Sequence, residues 1–302
     1  MLIAPLRWSI THFGGEPTLN FPAIQAATEY AEAKAARHGK SLIFDLTSNG
    51  VLITEEMAAY FAGHHIMVLL SVDGLEPTHD RFRRDRGGHA TFERAMRGFR
   101  ILKRTQGWVG VKMTVMPENV RRLFEDVTGL YALGVNQFII GHATGIMWPA
   151  EEMRVYSEQL ARVSQWYSET PRDDLRIAEF ESEGQEDSAY FGCQAGRNSM
   201  TAAVNGEISP CSKVLALNNK ELLAKLGDVR YGLTHLRNRH DLVSCSQLRT
   251  ACDARGITED FRGGCFATNH EENGNLFLPS MQEHTFNVLK RSACAGCSAH
   301  KR

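Results

Sequence analysis

The residues in this chain best suited to chemistry are its seven cysteines, Cys193, Cys211, Cys245, Cys252, Cys265, Cys294 and Cys297, all within the last 110 of 302 residues. An odd, clustered set makes a poor disulfide framework, and a reducing cytosol disfavours such bridges anyway. Clustered thiolates read instead as metal ligands. Four close a [4Fe-4S] cluster and three leave one iron open, while four in a tetrahedron suit zinc equally well. Buried structural cysteine is the alternative without chemistry. The shortest spacings are Cys245-x6-Cys252 and Cys294-x2-Cys297.

The first half offers a different kind of site. Polar or glycine-rich turns follow four aliphatic runs: "GGEPT" (Gly14 to Thr18), "TSNG" (Thr47 to Gly50), "SVDG" (Ser71 to Gly74) and "GHATG" (Gly141 to Gly145). In α/β folds, ligands bind at the carboxyl ends of strands, and glycine there lets the backbone approach closely. Each turn alone reads as an ordinary connection; four at one end of a sheet read as a ligand site. The basic run "RFRRDR" (Arg81 to Arg86) is a candidate anion site or a solvated charged loop. Scattered histidines read as satisfied loop or core residues, with His142 at a strand end placed to face the site. Met147 and Trp148 read as its cover.

The elements that must position these residues follow from periodicity. Strands are predicted at Arg7 to Phe13, Ser41 to Ser48, Ile66 to Gly74, Val109 to Met116 and Asn136 to Ala143. Apolar residues at three-to-four spacing predict helices over Pro22 to Ala36, Thr54 to Ala62, Thr91 to Thr105, Asn119 to Leu133 and Ala150 to Ser168. Thr54 is the expected N-cap of the second and Gly134 the C-cap of the fourth. Alternating strands and helices predict an α/β fold with a parallel sheet, a partial (β/α) barrel. "RIAEFES" reads as one more strand. Beyond Gly192, glycine, asparagine and cysteine with weak periodicity predict a region where metal replaces an apolar core. The expected domains are residues 1–170 and 190–302.

Composition narrows the partners. Thirty-four basic against thirty-five acidic residues give a net charge of -1, which offers no general field for nucleic acid or an anionic membrane. No apolar run approaches the roughly 18 residues of a spanning helix, and "MLIAPLRWSI" lacks a signal-peptide pattern. The expectation is a cytoplasmic protein with neither nucleic acid nor membrane as partner.

In order and spacing, "FGGEPTLN", "TSNG" and "LLSVDGLEPTHDRFRRDRGGHATFERAMRGFRIL" resemble radical S-adenosylmethionine (radical SAM) enzymes of the peptide-maturase branch. "CQAGRNSMTAAVNGEISPC" resembles the start of their C-terminal SPASM domain, which binds auxiliary iron-sulfur clusters. The resemblance implies a partial (β/α)6 barrel that binds S-adenosylmethionine across its strand ends. It implies that Gly14, Gly15, Glu16 and Pro17 hold the methionine amino group, with Ser48 and Asn49 at the second strand end and Ser71 and Asp73 near the ribose or carboxylate. Arg84 is the implied carboxylate ligand, with Arg83 as its rival. In the cysteine region, Cys193, twelve residues, Gly206, four residues and Cys211 match the opening SPASM signature. The family's next run departs: with Cys265 as its fourth cysteine and Cys252 as its first, Arg255 and Phe261 fill the two middle places. By analogy, Cys193, Cys211 and Cys265 serve one cluster, and Cys245, Cys252, Cys294 and Cys297 another.

The family's catalytic [4Fe-4S] cluster is held by Cys-x3-Cys-x2-Cys, upstream of the GGEP turn. Here no cysteine precedes Cys193. The chain is therefore expected to be a fragment, a degenerate paralogue or a protein completed by a partner. The truncated barrel would expose "RWSITHF" as an edge strand. The implied function of the complete protein is hydrogen abstraction from a ribosomal peptide or protein substrate, with an external electron donor; the rival is a non-catalytic iron-sulfur or zinc protein for electron transfer or scaffolding. Ser212 stands where the sulfatase-maturing branch has its aspartate base, which disfavours oxidation of a sulfatase residue.

Overall fold

The computed structural model describes residues 7–169, 174–181, 191–217, 225–257 and 261–294. Six strands, β1 (Arg7–His12), β2 (Ser41–Ser48), β3 (Ile66–Ser71), β4 (Val109–Val115), β5 (Gln137–His142) and β6 (Arg176–Ile177), form one parallel sheet in sequence order. The helices that connect them are α1 (Phe21–Arg37), α2 (Glu55–Gly63), α3 (Glu76–Phe82), α4 (Phe92–Thr105), α5 (Leu123–Ala132) and α6 (Ala150–Glu169). This is the predicted α/β order. Two details differ. "RIAEFES" gives only the two residues of β6 before turning into α7 (Ala178–Glu181). The short α3 falls where no helix is predicted; two turns are too few to show a period.

The chain divides into two compact units. The first combines the described parts of Met1–Ala143 and Glu158–Ser182; the second combines Thr144–Ser157 with the described part of Glu183–Ala295.

The register of the first unit's sheet sorts its side chains onto two unlike faces. Phe44, Leu46, Ile66, Val68, Leu70, Val111, Met113, Phe138 and Ile140 share one face through the paired positions of neighbouring strands, and none is more than 4% exposed. The apolar stripes of the helices are buried with them, as in α4, where Phe92, Ala95, Met96, Phe99 and Leu102 recur at helical spacing. The other face carries Thr11, Asp45, Met67, Thr47, Leu69, Ser71, Lys112 and Thr114, none of them fully buried. A parallel sheet covered on both sides reads as continuous aliphatic runs; the alternation here reflects one dry face and one wet one.

Local chemistry sets the helix starts. Thr54 Oγ1 accepts from Met57 N at 3.2 Å, as expected of an N-cap. At α4 the acceptor comes from another element: Asp80 Oδ1, on α3, takes the Thr91 and Phe92 amides at 2.7 and 2.9 Å. Gly134 donates to Tyr131 O at the end of α5.

In the second unit, β7 (Thr201–Ala202), β8 (Glu207–Ser209) and β9 (Gly227–Asp228) form an antiparallel sheet beside α8 (Ser212–Leu215), α9 (Leu236–Ser244), α10 (Ser246–Ala254), α11 (Phe266–Asn273) and α12 (Met281–Cys294). The unit has an apolar core of its own, including Val214, Leu226, Leu242, Leu248, Phe266 and Phe277. This corrects the expectation that metal stands in for a core; short helices broken by glycine and asparagine hide the pattern. Trp148, read as a cover, is 3% exposed, with its ring edge-on to Phe286 and Tyr156 at 5.0 and 6.0 Å.

Gly98 of α4 packs directly on the turn after β2: a Cβ there would lie 2.1 Å from Gly50 O. Alanine is intrinsically the better helix former by about 1 kcal/mol, but backbone oxygen cannot yield as a side chain can. Gly98→Ala is expected to destabilise the protein by about 1–3 kcal/mol, read as a lower midpoint in urea.

Candidate cofactor cleft and cysteine site

The turn that leaves β1 is held by one carboxylate. Glu16 Oε1 accepts from Thr18 N at 3.1 Å, Thr18 Oγ1 at 2.6 Å and Ser48 Oγ at 2.9 Å, and its Oε2 accepts from Asn49 N at 2.7 Å. Pro17 follows as the first residue of a 3-10 turn, Pro17–Asn20. The ends of β1 and β2 are thereby fixed together. Ser48, 2% exposed, also accepts from Gly50 N, and Asn49 Oδ1 accepts from Val51 N.

The end of β3 is built round a second carboxylate. Asp73, 5% exposed, receives the Arg83 fork through Nε to Oδ2 at 2.5 Å and Nη2 to Oδ1 at 3.0 Å, and the Thr114 amide at 2.9 Å. Bidentate pairing fixes the guanidinium plane as well as its position. Behind it, Asp126 Oδ1 accepts from Leu75 N and Oδ2 from Thr78 Oγ1. Gly74 makes that approach possible, because a Cβ there would lie 2.6 Å from the Asp126 carboxyl carbon.

His79 joins these parts. Its Nδ1 accepts from the Asp73 amide at 3.4 Å, and Thr91 Oγ1, 3.1 Å from its Nε2, donates to Arg83 O at 2.7 Å. The Thr91 proton is thus committed, so His79 carries its own on Nε2 and is neutral. Burial, then the Arg83 charge, pushes its pKa down to about 4.

These groups border an open cleft of about 820 Å3. Gly15, Glu16, Asn49 and Arg84 line it, as do His79, Arg83, Arg86 and Arg94. Of the predicted site residues, Gly14, Pro17, Ser48, Ser71 and Asp73 are not in its lining: Ser48 and Asp73 are buried supports, and Ser71 lies on the wet face of the sheet. His142 shares the buried sheet face with Val115 and is also outside the lining. His79, read as a satisfied loop or core histidine, is 1% exposed and hydrogen-bonded through both ring nitrogens; Arg94 was not singled out.

The loop over the cleft is shaped by Asp85, which takes the Gly87 and His89 amides and the Arg94 guanidinium. These hydrogen bonds, that of the His89 amide first, hold its carboxyl well below the usual carboxylate range. With Arg83 on Asp73 and Arg94 on Asp85, Arg84 and Arg86 are the lining cations with no carboxylate partner among the described residues. Glu16, in the same lining, has no cationic partner among the described residues.

In the second unit, Cys193, Cys211 and Cys265 pack at the edge of the apolar core. The Ala195 amide reaches Cys193 Sγ at 3.5 Å and the Val214 amide reaches Cys211 Sγ at 3.3 Å. Burial raises both thiols, and the neighbouring cysteine charges raise Cys193 further. Among the described residues, no three His, Cys, Asp or Glu side chains enclose a single ion. Cys245 and Cys252 lie inside the core at 1% and 2% exposure, and Cys245 Sγ donates to Leu242 O at 3.0 Å. Cys297 lies outside the described residues, as does the side chain of Cys294, the last residue of α12. Among the described residues no helix is long and apolar enough to cross a membrane.

Residues 4–128 match the profile of the radical SAM superfamily. Over 116 residues the chain is 28% identical to a cysteine-type anaerobic sulfatase-maturating enzyme of Clostridium novyi, a stretch covering 38% of this chain and 30% of that protein. Over 122 residues it is 31% identical to an uncharacterised protein of Methanocaldococcus jannaschii, covering 40% and 42% of the two chains. These matches thus span less than half the length of either relative. A solved structure described as native anSMEcpe with bound AdoMet superposes with a TM-score of 0.72 at 15% identity, covering 97% of this chain and 85% of that one. Streptococcus suis SuiB bound to S-adenosylmethionine gives 0.61 at 17%, covering 91% and 65%.

The neutral His79 makes a testable contribution to stability. The unfolded chain takes up this proton near the ordinary histidine pKa of about 6.5, whereas the folded chain resists until about 4. Stability from this group is therefore complete above 6.5 and lost as pH falls towards 4. Asp126, raised by burial to about 6, slopes the opposite way in an overlapping window. The measurement is consequently a difference: His79→Gln is expected to be less stable than wild type by about 1–3 kcal/mol at pH 7, with the gap narrowing towards pH 4 in urea titrations.

Proposed function

Because residues 4–128 belong to the radical SAM superfamily, we propose that the cleft at the ends of β1 to β3 binds S-adenosylmethionine and that the chain acts in the maturation of a peptide or protein. The observation that carries this reading is the charge arrangement of the cleft. Glu16, Arg84 and Arg86 in one lining complement a ligand bearing both an ammonium and a carboxylate, as the methionine end of S-adenosylmethionine does. Gly14 and Gly15 bring backbone to the ammonium side, and Arg84 takes the carboxylate. Ser48 and Asp73 act from behind, by fixing Glu16 and Arg83. Ser71 lies on the wet sheet face.

Cys193, Cys211 and Cys265 are proposed to hold an auxiliary iron-sulfur cluster in a SPASM-type domain. A four-thiolate zinc site draws its sulfurs to roughly 3.8 Å of one another, given zinc-sulfur bonds of about 2.3 Å. A cube of four irons holds its thiolates wider apart and is closed by three of them with one iron left open. The amides aimed at Cys193 and Cys211 are donors of the kind that stabilise cluster sulfur. When bound, such a cluster stores or passes single electrons. The larger set, Cys245, Cys252, Cys294 and Cys297, is proposed as a second site. A peptide substrate is supported by the neighbours, one of which is described with a bound Kp18Cys peptide and another with precursor peptide SuiA. A partial barrel, a cytoplasmic location and an external electron donor complete the reading. No cysteine precedes Cys193 in this sequence.

Two measurements test this. In calorimetry, S-adenosylmethionine is expected to bind, and Arg84→Met to weaken it at least tenfold; equal affinity would remove Arg84 from the site. Anaerobic reconstitution with iron and sulfide is expected to load iron, and the triple variant Cys193→Ala, Cys211→Ala, Cys265→Ala to lose about four irons per chain. Stoichiometric zinc without iron would overturn the cluster assignment.

A further inference from the structure

Two of the three cysteines begin helices. Cys211 is the N-cap of α8 and Cys265 the N-cap of α11. Two residues beyond the first of them stands Lys213, and three beyond the second stands Thr268. The Lys213 ammonium donates to Thr268 Oγ1 at 2.7 Å and to Thr144 Oγ1, and lies 3.3 Å from Glu271 Oε2 on the next turn of α11. Thr268 is 4% exposed, while Lys213 and Glu271 keep 36% and 27% of their side-chain surface.

A lysine stem has four rotatable carbons and ordinarily holds its charge in water. Here three oxygens from two separate stretches of chain hold it, within the same unit as the cysteines. The charge is fixed in place, and one brace crosses from the helix that starts at Cys211 to the helix that starts at Cys265. A fixed positive charge favours whichever state of a neighbouring group is more negative, and half-burial keeps that interaction from being screened as it would be in open water.

We propose that Lys213 sets the reduction potential of the cluster held by Cys193, Cys211 and Cys265, its braced ammonium favouring the reduced form and Glu271 offsetting part of that charge. The inference rests on the cluster reading above. The step concerned is the entry of one electron from an external reductant into the cluster, with Lys213 remaining protonated and no bond made or broken in the chain. Lys213 is a positioning residue: it acts through the cysteines and touches no reacting atom.

The test is a spectroelectrochemical titration of the full chain, reconstituted anaerobically with iron and sulfide and reduced stepwise, with reduced clusters counted by electron paramagnetic resonance. The relevant signal is the one lost in the triple cysteine variant. Lys213→Met is expected to lower the midpoint potential, Lys213→Arg to leave it near wild type, and Glu271→Gln to raise it. Opposite signs from the two partners of one ion pair are what a charge effect requires; a brace that is merely structural would move both variants the same way or neither. Unchanged potentials in loaded Lys213→Met and Glu271→Gln, or shifts of one sign in both, would overturn the role of Lys213 and leave the cluster standing. If Lys213→Met does not fold, the sign of the Glu271→Gln shift decides. A wild-type chain that takes up no iron would overturn the cluster reading, and this inference with it.

Discussion

One carboxylate, Glu16, is shared by four donors that come from its own turn and from the end of the next strand. Hydrogen bonds to a charged acceptor are stronger than neutral ones, and here they substitute for a counter-ion. The negative charge therefore survives in the cleft wall, held still and partly desolvated. Everything proposed for the cleft depends on this, because a Glu16 paired with an arginine would present no charge to a ligand.

The same economy appears at the end of β3. Three aspartates, Asp73, Asp80 and Asp85, spend their acceptors on backbone amides and on Arg83 and Arg94. The basic run is thus divided by position. Some of its cations are structural ties, and others face the cleft without an acid partner. His79 keeps the division in place by staying neutral: a protonated ring would face the Asp73 amide with a second donor where an acceptor is needed.

Much of this organisation was readable in the residues. The strands were legible because β-branched and aliphatic runs alternate with helical spacing, and Thr54 and Gly134 marked helix ends through their own chemistry. The turns pointed to a cleft only together, because four of them follow strands of one parallel sheet and so fall at one end of it. What stayed hidden depended on contacts distant in sequence. Asp80 caps a helix eleven residues away and Asp73 binds an arginine ten residues on, neither of which has a local signature. The core of the second unit was hidden because its apolar residues are scattered over helices too short to show a period. Trp148, read as a cover, is packed by Phe286, far along the chain. Lys213 gave no signal at all, since one lysine after a cysteine looks like any surface lysine.

The two faces of the parallel sheet have one more consequence. On the dry face, a change of a single methylene disturbs a close-packed layer that holds up both the helices and the strand ends. On the wet face, Thr47, Ser71, Lys112 and Thr114 bear no such layer, so exchanging them leaves the scaffold nearly untouched. Alternate residues of the same strands thus differ in what they tolerate: those of the close-packed layer resist a change of volume, and those of the half-exposed face do not.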